Sequence, residues 1–203
     1  MQKIFMRSLF TIFGFGLVLS LPCAAQQGPT TIEWTQKIQH ALQNLVTAKA
    51  QFVQTNPDGS QHSGTLYLNR PGRLRMQYDN PKGQLVIADG TWIIFHNPNM
   101  DDTTYLGLNE TPAGLLLKDR IDFSKGVAVI DMQETANDIT LSFVDVNAQE
   151  IGTLSLIFNK ATLDLKGWIV EDSQRQKTRV MFEGLQKGQK LDPKLFIFER
   201  PRF

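Results

Sequence analysis

The chain has 203 residues, with 21 basic side chains against 20 acidic ones and a net charge of +1. That balance argues against nucleic acid or an anionic membrane surface as the main partner. The length suits one ordinary domain, and a single cysteine offers no disulfide framework, so stability must come from a core.

Residues 1–25 read as an address label. Lys3 and Arg7 give a basic start, and Ser8 to Leu21 is uncharged and apolar apart from Ser8, Thr11 and Ser20. Cys23-Ala24-Ala25 then sets small residues before Gln26. This is the pattern of a secretory signal peptide, which leaves one domain over 26–203. Cleavage there removes two positive charges and no acidic one, so +1 becomes −1, and it removes the one cysteine. A second reading makes Cys23 the lipid-bearing residue of a lipoprotein, which Pro22 and Ser20 fit poorly. No later apolar run approaches the length that spans a membrane.

Thr31 to Val46 reads as an amphipathic helix. Trp34, Ile38, Ala41, Leu42 and Leu45 recur at helical spacing, and Thr30 or Thr31 can cap it. A first strand follows over Ala48 to Thr55, anchored by Phe52. Asn56-Pro57-Asp58-Gly59 is a turn cluster.

Ser63 to Tyr78 organises what comes next. Leu66, Leu68 and Arg70 share one parity, so a guanidinium follows two leucines onto an apolar face. Pro71-Gly72 makes the corner, since Pro presets φ and Gly can take the positive φ of a type II turn. Leu74, Met76 and Tyr78 then alternate with Arg73, Arg75 and Gln77, as in a half-exposed antiparallel strand. Arg70 has two readings at this point. It is a surface charge whose stem covers leucine, or a latch whose five donors bond the backbone of a covering segment.

Strands are expected over Gln84 to Ala88 and Thr91 to His96, joined by an Asp89-Gly90 hairpin. Trp92, Ile93, Ile94 and Phe95 are apolar on both parities, so that strand is covered on both faces or looks into a cavity. Thr103 to Leu108 is a short strand or extended piece. Thr111 and Pro112 open a short helix carrying Leu115, Leu116 and Leu117, which Gly114 weakens. It reads either as a lid or as a crossover pinned in the core. Strands then recur at Val127 to Met132, Ile139 to Val144, Gly152 to Phe158, Leu163 to Glu171, Arg179 to Leu185 and Leu195 to Glu199. About ten strands, one good helix and one short helix suggest a barrel or curved sheet.

Chemistry is scarce. His40, His62 and His96 have no partner at metal-ligand spacing, and no nucleophile elbow, zinc, phosphate-loop or dinucleotide motif occurs. The reading is a protein that is not an enzyme and uses no metal or cofactor. Met76, Met100, Met132 and Met181 add adaptable apolar surface.

Several of these pieces, in order, resemble the LolA family of periplasmic lipoprotein carriers. They are Phe52-Val53-Gln54, Gly64-Thr65-Leu66-Tyr67-Leu68 and Arg70-Pro71-Gly72-Arg73-Leu74-Arg75-Met76-Gln77-Tyr78. To these are added Ala88-Asp89-Gly90 with Trp92, Thr111-Pro112 with its leucines, and the ending Leu191-Asp192-Pro193, Leu195 to Phe198 and Pro201. Two departures stand out. Leu74 and Met76 replace aromatic residues, and Asp172-Ser173-Gln174-Arg175 lacks the usual late glycine.

The resemblance implies an α+β, mainly β fold, an unclosed antiparallel half-barrel with a helical lid. It implies a monomeric chaperone without enzymatic activity. Acylated lipoproteins would be taken from an inner-membrane, ATP-driven release complex and passed through the periplasm to an outer-membrane receptor. Arg70 falls on the family's latch arginine, which tips the choice above. The implied acyl-chain cavity comprises Phe52, Leu66, Leu68, Leu74, Met76, Tyr78, Trp92 and Ile94. The implied lid comprises Trp34, Ile38, Leu42, Leu115, Leu116 and Leu117. The alternative is an outer-membrane-anchored receptor or a lipid-sensing protein of the same fold.

Overall fold

The structure, a computed structural model, describes residues 30–123 and 125–199. The expected signal peptide, Cys23 and Pro201 lie outside them.

Helix α1 (Thr31–Asn44) starts at a capping box. The Thr30 hydroxyl accepts from the Glu33 amide at 3.4 Å, and the Glu33 carboxylate accepts from the Thr30 amide at 2.7 Å. Its buried stripe is Trp34, Ile38 and Leu42, one turn apart each time. Eleven strands follow: β1 (Thr47–Thr55), β2 (Gln61–Asn69), β3 (Arg73–Asn80), β4 (Leu85–Asp89), β5 (Trp92–Asn97), β6 (Asp102–Gly107), β7 (Val127–Glu134), β8 (Asp138–Asp145), β9 (Gly152–Asn159), β10 (Leu165–Asp172) and β11 (Lys177–Lys187). Between β6 and β7 lie a 3-10 turn (Leu108–Glu110) and a one-turn helix, α2 (Gly114–Leu117).

All strands join one antiparallel sheet in the order β6-β5-β4-β3-β2-β1-β11-β10-β9-β8-β7. The two edges, β6 and β7, do not pair, so the sheet is an unclosed half-barrel. Its concave face is continuous. Leu68 pairs with Leu74, Leu74 with Ala88, Ala88 with Ile93, and Ile93 with Leu106. The next row inside runs Leu66, Met76, Val86 and Phe95. Both helices bury their apolar side chains on this face, and the joint cluster is the core.

Three expectations need correction. The last β4–β5 pair is Ala88 with Ile93, so Asp89–Trp92 form a four-residue connection, not a two-residue hairpin. Asp89 Oδ1 holds it by accepting from the amides of Thr91 and Trp92, each at 2.8 Å. The ending is no strand. Pro193–Phe196 is a 3-10 turn capped by Asp192, which accepts from the Lys194 amide. It packs on the outer face of β3 and β4, whose backbones are already paired, so no free edge is left for it to join.

The third correction concerns Trp92 and Ile94. Ile94 stands in the row Tyr67, Arg75, Ile87, Ile94, Tyr105, which is the outer face. It lines a shallow outer groove with Phe196 and Phe198. Trp92 shares its parity and is 45% exposed. The inward residues of β5 are Ile93 and Phe95. Strand β5 is apolar on both parities because the C-terminal segment covers its outer side, so alternation could not mark the inner one.

Candidate acyl-chain cavity and its lid

A cavity of about 400 Å³ opens between the concave sheet and the lid segment. Leu74, Met76, Val86, Ala88, Ile93 and Phe95 form one wall, Trp168, Val170 and Val180 the other, and Ala113 and Leu117 reach it from the lid. Tyr78, Gln54, Gln84, Asp172, Gln176 and Thr178 surround one end.

Of the sequence-derived residues, Leu74, Met76 and Tyr78 line this space. Phe52, Leu66 and Leu68 share the concave face but lie in the packed core with the lid residues. Phe52 meets the Tyr78 ring edge-on at 5.0 Å. Trp34, Ile38, Leu42 and Leu115 to Leu117 are all buried in that core. Val86, Trp168 and Val180 were not singled out from sequence, and Ile93 and Phe95 were named only as part of a strand apolar on both parities. Strand parity carried the signal for Trp168 and Val180, which pair with each other across β10 and β11.

Two helix ends meet at one corner, and Arg70 sits there, 6% exposed. Its Nη1 donates to the Leu42 carbonyl and, at 3.3 Å, to that of Leu45, while Nη2 donates to the Lys118 carbonyl at 2.7 Å. The backbone joins in. The Arg70 amide donates to Val46 O at 2.8 Å, and the Gly72 amide to Leu117 O at 2.9 Å. Gly72 has φ +77°, a conformation that glycine adopts without a Cβ penalty.

The chemistry is that of helix C-termini, whose last carbonyls lack partners and carry partial negative charge. No basic residue stands in the last turn of α1, so Arg70 supplies the cation from the sheet. Burial pushes the Arg70 pKa down, and the field of Asp119 pushes it back up.

Further ties hold the lid to the far rim. Lys118 Nζ pairs with Asp145 at the end of β8, at 2.7 Å. The hydrogen bond from Lys118 is the main reason Asp145 sits below the usual carboxylate range. The Trp34 indole donates to Glu134 on edge strand β7 at 3.2 Å, and Lys160 pairs with the same carboxylate. Gln39 accepts from the Phe123 amide at 3.0 Å. The lid is thus bonded on both sides of the opening.

Gly114 is where α2 presses on the preceding turn. A Cβ there would lie 1.9 Å from the Leu108 carbonyl oxygen. Thr111 lines the cavity, and its buried hydroxyl has no partner among the described residues.

Comparison with known proteins follows the same line. The family model described as "Outer membrane lipoprotein carrier protein LolA" matches residues 43–199. The chain belongs to the LolA family. It is 28% identical over 200 residues to the outer-membrane lipoprotein carrier protein of Methylococcus capsulatus, covering 93% of this chain and 94% of that one. The carrier protein of Pseudomonas aeruginosa is 28% identical over 210 residues, covering 97% and 96%. Among solved structures, a DUF1329 family protein from Desulfovibrio piger has a TM-score of 0.50 at 9% identity, covering 80% of this chain and 93% of that one. That likeness concerns the fold alone. The LolA match spans the Arg70 corner, α2 and every strand, and begins at the last two residues of α1.

Proposed function

We propose that this protein is a periplasmic carrier of acylated lipoproteins. It takes them from an ATP-driven release complex in the inner membrane, covers their acyl chains, and yields them to a receptor at the outer membrane. It catalyses no reaction. The observation that carries this reading is an apolar cavity under a lid that one buried arginine ties shut, in a chain of the LolA family.

The physics fits the task. Burying a methylene contributes about 0.8 kcal/mol, so three acyl chains with about 40 methylenes would cost roughly 30 kcal/mol left in water. Such cargo crosses an aqueous space only if it is covered. A carrier must also let go, so binding must be partly offset. A lid that prefers to close on the empty cavity supplies that offset, because cargo must break its hydrogen bonds to enter.

The test is native mass spectrometry of the protein after incubation with a triacylated lipoprotein and the release machinery in membranes. The expected result is a soluble one-to-one complex. Lipoprotein that stays in the membrane, with the carrier free, would overturn the reading.

A further inference from the structure

The cavity has two unlike poles. The strand pairing places the end of β1, the end of β3, the start of β4, the end of β10 and the start of β11 together. Gln54, Tyr78, Gln84, Asp172, Gln176 and Thr178 come from those ends. The Arg70 corner, between β2 and β3, is at the opposite pole. From Leu74 to Tyr78 along β3 the lining passes from wholly apolar to polar within about 13 Å, at ~3.3 Å per residue.

The polar pole holds donors at the cavity mouth, where Gln176 is exposed and Gln84 and Thr178 are half-buried. The side chains of Gln84, Gln176 and Thr178 make no hydrogen bond to another described residue. Gln54 accepts from the Tyr78 hydroxyl at 2.7 Å and donates once to Asn56 at 2.6 Å, so one of its two amide hydrogens is left over. Among the described residues that line the cavity Asp172 alone is charged, and just outside it Glu171 ties up Arg175 and Lys177 in ion pairs. Asp172 Oδ1 is engaged by the amides of Gln174 and Gln176.

We propose that this pole seats the uncharged, ester-bearing head of the acylated cargo, and that Asp172 refuses the anionic head of a phospholipid. This rests on the carrier reading and specifies its substrate class. A diacylglyceryl cysteine presents ester carbonyls, which accept hydrogen bonds and carry no charge. Glutamine amides and a threonine hydroxyl are the donors to match them. The same head orients the cargo, with chain ends running toward Leu117 and the latch. A membrane offers far more diacyl phospholipid than lipoprotein, with tails of the same kind. The apolar walls cannot tell the two apart, so discrimination must fall on the head. A carboxylate at that point repels phosphate and leaves a neutral ester alone.

Three probes test this on the full protein: a triacylated cysteinyl peptide, phosphatidylglycerol, and a fluorescent hydrocarbon without a polar head. Gln176→Leu is expected to weaken the triacylated peptide by about fivefold to tenfold, the worth of one hydrogen bond. It leaves the hydrocarbon probe unchanged. Asp172→Asn keeps the turn bonds and is expected to raise phosphatidylglycerol affinity severalfold, with the peptide unaffected. If both variants leave the ratio of peptide to phospholipid affinity as it was, the head seat is wrong while the carrier reading stands. Wild-type protein that binds none of the three probes overturns both.

Discussion

Arg70 brings a positive charge into the protein and spends its hydrogen bonds on carbonyls, not on a carboxylate. Its identity was legible, because parity put it on the apolar face and the Arg-Pro corner matched a family. Its partners were not, since they lie 25, 28 and 48 residues away at the ends of two helices. Arg70→Leu removes the donors and also removes a desolvated charge, so the fold itself should tolerate it. The closed lid should suffer more. Loss of even one charged hydrogen bond, about 2 kcal/mol, shifts the lid equilibrium on the order of 30-fold toward open. The expected variant loads cargo normally and retains it in a transfer assay with receptor-bearing membranes; transfer at the wild-type rate would sink the latch. Arg175 is a second residue the sequence marked, by lacking the family's glycine. It adopts φ +63°, a region that costs an L-residue about 1–2 kcal/mol. Glycine would relieve that cost. It would forgo about 0.5–1 kcal/mol of chain entropy and an exposed ion pair with Glu171. Arg175→Gly should therefore raise Tm slightly, by about 1–2 °C. Arg175→Ala should not, because it keeps the strain, and an equal rise in both would refute the backbone account.

Among the elements, α2 departs furthest from its sequence reading. Gly114 looked like a flaw in a short helix opened by Thr111 and Pro112. In the structure the helix is one turn long, and Gly114 is what lets it lie against the Leu108 carbonyl. Propensity priced the glycine correctly, but the benefit comes from a contact that no local window contains. The same blindness misread the ending as a strand and gave β5 the wrong inner face. In both places the deciding fact is a segment from the far end of the chain lying on the sheet's outer side. Gly114→Ala forces α2 off the turn, and the Leu117 and Lys118 carbonyls move with it. Overpacking of this kind costs about 1–3 kcal/mol, so Tm should fall by a few degrees. The Gly72 amide, which donates to Leu117 O, should exchange its hydrogen faster. An unchanged Tm together with unchanged Gly72 exchange would show that the contact is not tight.

At the scale of the whole molecule, the half-barrel was readable because its strands repeat a simple pattern of alternation and turns. The state of its lid was not, because closure depends on how the empty space is shared. The open part of the cavity is about 400 Å³. At ~30 Å³ for a group the size of a water or methylene, it holds on the order of a dozen methylenes. Three acyl chains with about 40 methylenes need several times that. The missing volume lies on the same concave face, where Leu42 and Leu115 to Leu117 now pack against Leu66 and Leu68. Loading must therefore displace helices and break the ties at Arg70, Asp145 and Glu134. The sheet, whose inner strands are paired on both sides, has no such reason to move. Hydrogen exchange should separate the two parts. On loading with a triacylated lipoprotein, amides of α2 and of the Gly72 corner should lose protection. Those of β1, β2 and β11 should keep it or gain it as cargo covers them. If the lid kept its full protection in the loaded complex, the chains would have to lie elsewhere, and the concave face would not be their site.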